Sequence, residues 1–246
     1  MTKAESKVID FIKKHILLFL LVAVTIIAIF LRVCGMDFQS DDFNSFLNSW
    51  WSIIKLNDFT GLATQVGNYN IPYQVIIYLM TLLPLNALYA YKIVSIIFDF
   101  VLAISTAMLV YSFAKNNRRL KAILTYSAVL LSATVIFNSS FWAQCDSIYT
   151  SFIILAILFL HKDKPIASFV FIGIAFAFKL QTVFIIPVLL YYWISTKKIS
   201  ILHFFIIPAV DVIMCLPAII MGRPFIDIIT IYAEQTDYGK LIQMNC

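Results

Sequence analysis

Four short stretches gather residue types that can do chemistry on a polar substrate: Ser40-Asp41-Asp42-Phe43, Asn68-Tyr69-Asn70-Ile71-Pro72-Tyr73, Trp142-Ala143-Gln144-Cys145-Asp146-Ser147 and Phe178-Lys179-Leu180-Gln181. Asp41 or Asp42 can take a proton from an attacking hydroxyl or orient it, the general-base work that sugar transfer needs. The structural alternative is capping, since Asp and Ser just ahead of an apolar helical pattern satisfy free N–H groups. Lys179 interrupts an apolar stretch, where an ionisable group is costly and marks a functional position, here a point charge for a phosphate. Its alternative is to snorkel toward lipid headgroups. Asp146, beside Trp142 and Gln144, can bind sugar hydroxyls or be a solvated loop acid. Lys92 and Asp99, seven residues apart, fall near one helical face. A buried ion pair or a phosphate contact suits Lys92, and packing suits Asp99.

The elements that must position these residues are membrane helices. Hydrophobic residues make up 62% of the 246 and charged residues 13%, with a mean hydropathy of +0.92, far more apolar than a water-soluble core needs. Crossing the hydrocarbon takes about 20 apolar residues per helix, because every backbone polar group must be paired internally. The net charge of +5 does not point to nucleic acid, because the basic residues form short clusters between apolar runs rather than a surface. These are Lys3, Lys7, Lys13 and Lys14; Lys115, Arg118, Arg119 and Lys121; Lys162 and Lys164; and Lys197 and Lys198. The positive-inside rule makes each a cytoplasmic loop. Cys34, Cys145, Cys215 and Cys246 have no paired spacing and His15, His161 and His203 are scattered, so neither a zinc site nor a disulfide framework is indicated.

The expected fold class is an all-α polytopic membrane protein, one transmembrane domain over 1–246. With the amino terminus inside, helix 16–34 crosses outward, a retained helix with no A-x-A-like cleavage site. The outer loop 36–71 follows. Within it Phe43, Phe46, Leu47, Trp50, Trp51 and Ile54 share one face, predicting an amphipathic helix over 42–55 at the membrane interface. A short helix, 72–83, dips in from the outer side, and 88–113 crosses to the Lys115–Lys121 cluster. Helix 120–137 goes out, 138–147 is an outer loop, and 148–160 returns. The stretch 166–195 has cytoplasmic lysines at both ends, which predicts a hairpin of helices 166–178 and 182–195 with its tip near the outer surface. Helix 199–221 then leaves Gly222 to Cys246 outside. On this topology all four polar stretches share the outer side, although none was used to set it.

The order of SDDFNSFLNSWW at 40–51, NYNIPYQ at 68–74, YKIVSIIFDF at 91–100, WAQCDS at 142–147 and FKLQTVFIIP at 178–187 resembles the GT-C glycosyltransferases, in particular bacterial proteins related to the mannosyltransferases of glycosylphosphatidylinositol assembly. The resemblance covers most of the chain. It implies a GT-C-like helix bundle and an inverting enzyme that moves a hexose, mannose by the nearest resemblance, from a polyprenyl-phosphate donor to an acceptor on the extracytoplasmic face. It makes Asp42, followed by an aromatic residue, a better match for the catalytic acid than Asp41, and suggests Asp146 for substrate and Lys179 for donor phosphate. Asn68, Tyr69, Asn70, Tyr73, Trp142, Gln144 and Gln181 complete the expected substrate site. Members of that family carry further helices, so the chain reads as an N-terminal portion of the family length. Whether a divalent cation joins the paired aspartates stays open, and the acceptor is a surface polysaccharide, a glycolipid or a protein.

Two other readings stand beside this one. A transporter or lipid flippase would show paired repeats and broken helices with polar groups at the midplane. No internal repeat is present. A non-catalytic membrane subunit would use the same motifs as caps and interface anchors.

Overall fold

The computed structural model describes residues 1–233. Among them every regular element is helical. The helices are α1 (Lys3–Val33), α2 (Asn48–Asn57), α3 (Ile71–Thr81), α4 (Ala87–Phe113), α5 (Arg118–Leu130), α6 (Ala133–Ile136), α7 (Asp146–His161), α8 (Pro165–Phe178), α9 (Ile186–Thr196) and α10 (Ile206–Ile220). Three are long and apolar enough to cross a membrane: α1, α4, and α10 with the turn before it. A fourth joins them if the bent pair of α5 and the segment Ala133–Phe141 counts as one span. The expected tail, Gly222 to Cys246, is described only as far as residue 233, and 234–246 lie outside the described residues.

The centre of the bundle is a set of paired charges. α4 packs against α5 and α7, α7 against α8, and α8 against α10. Val24, Ala28 and Arg32, four residues apart on α1, are its buried positions. The first two pack with Ala103, Tyr126 and Leu130. Arg32 Nε donates to Asp99 Oδ2 at 2.9 Å, and Nη1 donates to the carbonyls of Ala28 (3.1 Å) and Leu130 (3.0 Å). Ser139 and Ser147 each donate to Asp99 at 2.6 Å. Both charges are essentially inaccessible, with side chains 2% and 0% exposed, so each offsets the cost of burying the other. Lys92, also on α4, does not pair with Asp99. Its ammonium donates to the carbonyls of Gly35 (2.7 Å), Met36 (3.0 Å) and Phe38. Three acceptors use all three lysine donors, which leaves none for a phosphate.

Several boundaries differ from those expected. α1 begins at Lys3, not near 16, because Thr2 and Glu5 form a capping box: Glu5 N donates to Thr2 Oγ1 at 3.2 Å and Thr2 N to Glu5 Oε2 at 2.6 Å. The helix expected over 120–137 is bent by 51° at Leu131-Ser132. Ser132 is extended there, and the Leu130 carbonyl is bound by Arg32. A side chain that takes a carbonyl at a break gives the kink a cause. The outer loop expected over 138–147 is mostly helical, since a π turn, Phe137–Phe141, continues α6. The amphipathic segment is a π turn, Phe43–Leu47, followed by α2. Its Trp50 and Trp51 do not face lipid: they are buried with Tyr73, Ile77, Tyr91 and Ile148. The segment 165–196 breaks at Lys179, which is extended. Its two ends meet, with Lys198 Nζ 2.8 Å from Asp163 Oδ1.

Arg32→Met or Asp99→Asn, each alone, strands a buried charge and is expected to cost about 3–5 kcal/mol. Arg32→Met combined with Asp99→Asn is expected to cost less than the sum of the two single losses. The thermal unfolding midpoint of the detergent-purified chain measures this, and simple additivity would show that the pair is not coupled.

Candidate functional site

Asp42 sits in the first turn after the chain leaves α1. Ser40 Oγ accepts from Phe43 N at 3.1 Å and so provides the cap, while Asp42 makes no capping bond. Its carboxylate is turned to another partner: Gln144 Nε2 donates to Asp42 Oδ2 at 2.8 Å. Tyr69 Oη lies 3.0 Å from Gln144 Oε1. These contacts form a consistent relay. A carboxylate only accepts, so the amide must turn its NH2 to Asp42 and its carbonyl to a donor, the Tyr69 hydroxyl. Burial first, and then the neighbouring Cys145 and Asp146, hold the Tyr69 pKa well above the usual range, so the hydroxyl keeps its proton.

The Tyr69 ring carries the arrangement further. Lys179 Nζ lies 5.8 Å from its centroid and 5.6 Å from that of Tyr149, within the range for cation–π attraction. The same ammonium pairs with Asp146 Oδ1, and Asn138 Nδ2 donates to Asp146 Oδ2 at 2.8 Å. Lys179 is thus drawn inward to Asp146 and does not snorkel. Trp50 packs edge-on to Tyr69 at 5.6 Å. Gly67, at φ +75°, makes room for that tryptophan, because a Cβ there would lie 2.2 Å from the indole.

Asp42 borders two hollows. The inner, of 160 Å³, is lined by Asp42, Phe46, Trp50, Asn68, Tyr69 and Gln144. The outer, of 340 Å³, is lined by Phe38, Gln39, Ser40, Asp41, Asp42 and Trp142. Asp41 is exposed there, and Trp142, 53% exposed, flanks it.

Three expected site residues stand apart. Asn70 caps α3, its Oδ1 accepting from Ile71 N at 2.8 Å, and its Nδ2 donates to Asp211 and Tyr232, each at 3.2 Å. Tyr73 is buried, with its ring 4.9 Å from that of Tyr69, and forms the packing behind the relay. Gln181 is exposed and has no part in these bonds. Asn138 and Tyr149 were missed. Tyr149 lies three residues after Asp146 on α7, a spacing that shares a helical face; nothing in the sequence pointed to Asn138. Among the described residues no three His, Cys, Asp or Glu side chains gather to hold a metal.

The loop that carries Gln144 is strained at Ala143, which is fully buried at φ +58°. It is held there by Ala143 N to Ser139 O at 3.1 Å and Gln144 N to Asn138 O at 2.8 Å. A non-glycine residue in this region costs on the order of 1–3 kcal/mol, and such strain gathers at functional sites.

No protein-family model, curated protein or solved structure matches the chain.

Ala143→Gly relieves this strain and is expected to hold or raise the unfolding midpoint. Ala143→Val adds a β-branched side chain at positive φ in a buried position and is expected to lower the midpoint by several degrees. Equal midpoints for the two variants would contradict the backbone argument.

Proposed function

We propose that the chain is an inverting glycosyltransferase that moves a hexose from a polyprenyl-phosphate donor to an acceptor on the extracytoplasmic face of the membrane. The observation that carries this reading is the single relay, through Gln144 and Tyr69, that connects Asp42 with the Lys179–Asp146 pair. It sets a proton acceptor on the wall of both hollows and a cation behind Tyr69, which lines the inner one. The sequence resemblance to the GT-C enzymes supports the same reading, with mannose as the sugar.

In the proposed reaction an acceptor hydroxyl enters the outer hollow beside Asp42. As its oxygen forms a bond to the anomeric carbon from one face, the bond to the phosphate oxygen breaks on the opposite face, and the configuration inverts. Asp42 takes the hydroxyl proton, helped by Gln144, which holds one carboxylate oxygen and so fixes the direction of the other. The leaving polyprenyl phosphate carries the bonding electron pair away as negative charge, and Lys179 is the cation to receive it. In this reading Asp146 and Asn138 hold the lysine until the donor arrives, Trp142 and Asn68 face the sugars, and the apolar flanks of the bundle admit the lipid tail. A transporter would need accessible polar groups deep in the bundle. The deep charges here are instead engaged within the protein: Arg32 and Asp99 by one another and by two serines, Lys92 by three carbonyls, and Asp211 by Asn70.

Membranes carrying the protein are expected to transfer sugar from a polyprenyl-phosphate donor and not from a nucleotide sugar. Asp42→Asn is expected to reduce turnover by roughly 100-fold or more, the usual scale of a general base. Lys179→Met is expected to weaken donor binding while the chain still folds, with a midpoint lowered by loss of the Asp146 pair. Transfer from the nucleotide donor, or full activity of Asp42→Asn, would overturn the assignment. The side of the membrane is tested separately by thiol labelling. Cys145 is a poor reporter, because burial pushes its pKa up to about 11. Trp142→Cys in a cysteine-free chain is expected to react with an impermeant maleimide on intact cells; labelling only after permeabilisation would reverse the orientation.

A further inference from the structure

At the other end of α1, α4 and α7 lies a second feature, which the sugar chemistry does not use. A cleft of 630 Å³ runs between α1, α4 and α5, with Leu21, Thr25, Ile104, Met108 and Tyr126 among its walls and Arg118 and Lys162 at its end. A second volume, of 560 Å³, shares Leu21, Tyr111, Ala122 and Ile123 with the first, and so adjoins it. It brings in Lys13, Lys14 and Arg119. Among the described residues no acidic side chain lines either volume. Ile104 and Met108 are 50% and 46% exposed, so the cleft opens on the flank of the bundle. Within its walls Thr25 and Tyr126 satisfy one another, with Thr25 Oγ1 3.0 Å from the Tyr126 hydroxyl.

We propose that this cleft binds one anionic glycerophospholipid, with an acyl chain along the apolar walls and the phosphate between Arg118 and Lys162. The charge pattern selects this occupant. Five cations at one end of an apolar groove are not neutralised by any acid in its lining, and basic pockets between membrane helices are where anionic headgroups bind. Arg118 is already set for the role: Nε donates to the Tyr111 carbonyl at 3.0 Å and the guanidinium lies 4.4 Å over the Tyr111 ring. It also opens α5, whose free N–H groups add to the attraction for an anion. A lipid held here ties α1 to α4 and α5 and reaches the turn between α7 and α8 through Lys162. The inference requires only that the bundle sits in a membrane, and it stands whether or not the protein transfers sugar.

Native mass spectrometry of the full chain, equilibrated with equimolar phosphatidylglycerol and phosphatidylcholine, tests it. One phosphatidylglycerol is expected to remain bound in excess. In Arg118→Gln with Lys162→Gln the preference is expected to fall by roughly tenfold or more. Lys3→Gln with Lys7→Gln, which removes the same charge from α1 outside the cleft, is expected to retain it. Met108→Trp, which fills the cleft without changing charge, is expected to displace the lipid and guards against a misfolded double variant. Equal retention of the two lipids would overturn the proposal. So would a preference that survives both Met108→Trp and the Arg118/Lys162 change, or equal losses in the two charge pairs, which would mark diffuse surface attraction.

Discussion

The rest of the structure depends on the pairing of Arg32 with Asp99. An isolated charge in an apolar bundle is unaffordable, so wherever Arg32 goes Asp99 must follow. Because the carboxylate also accepts from Ser139 and Ser147, and the guanidinium from its side binds the Leu130 carbonyl, one pair fixes five segments. They are the end of α1, the middle of α4, the break after α5, the π turn at 137–141 and the first turn of α7. Lys92 repeats the logic near the start of α4, where its ammonium clasps three carbonyls of the turn leaving α1. The two charged side chains of α4 thus locate the two pieces of chain that meet at the candidate site. Asp42 follows the turn held by Lys92, and Gln144 and Asp146 follow the turn held by Asp99.

The site itself is built from irregular backbone on that frame. Both contributing turns contain a π turn, Phe43–Leu47 and Phe137–Phe141, and the second ends in the left-handed Ala143. π turns and strained residues cluster at functional positions because they aim side chains that a regular helix cannot. Here they turn Gln144 toward Asp42 and keep Trp142 at the surface. The aromatic packing of Trp50, Tyr69 and Tyr73 then sets the depth at which the relay lies.

Much of the helical pattern was legible in the residues. Apolar runs, basic clusters, Asn70 with Pro72 at a helix start, and the doubly flanked 166–195 segment each carry a local physical signal. The candidate site was legible as four motifs, of which Asp42, Tyr69, Gln144, Asp146 and Lys179 come together. The remainder depended on partners distant in sequence. The π turns have no composition signature, and the 51° bend at 131–132 depends on an arginine 98 residues away. Asn70 looked like its neighbour Asn68, yet Asp211, 141 residues on, draws it elsewhere. Arg32 left a partial signal: a lone cation inside an apolar helix requires a counter-charge, and Asp99 in α4 and Asp211 in α10 were the two lone acids that could supply it.

The central claim is that Asp42 and the Gln144 loop form one site. Crosslinking tests it most directly. In a cysteine-free chain kept in native membranes, Asp42→Cys with Gln144→Cys is expected to be joined within one chain by a short bifunctional thiol reagent, while Asp42→Cys with Asp163→Cys, at the far end of α7, is not. Failure of the first pair to react, or equal reaction of both pairs, would contradict the account.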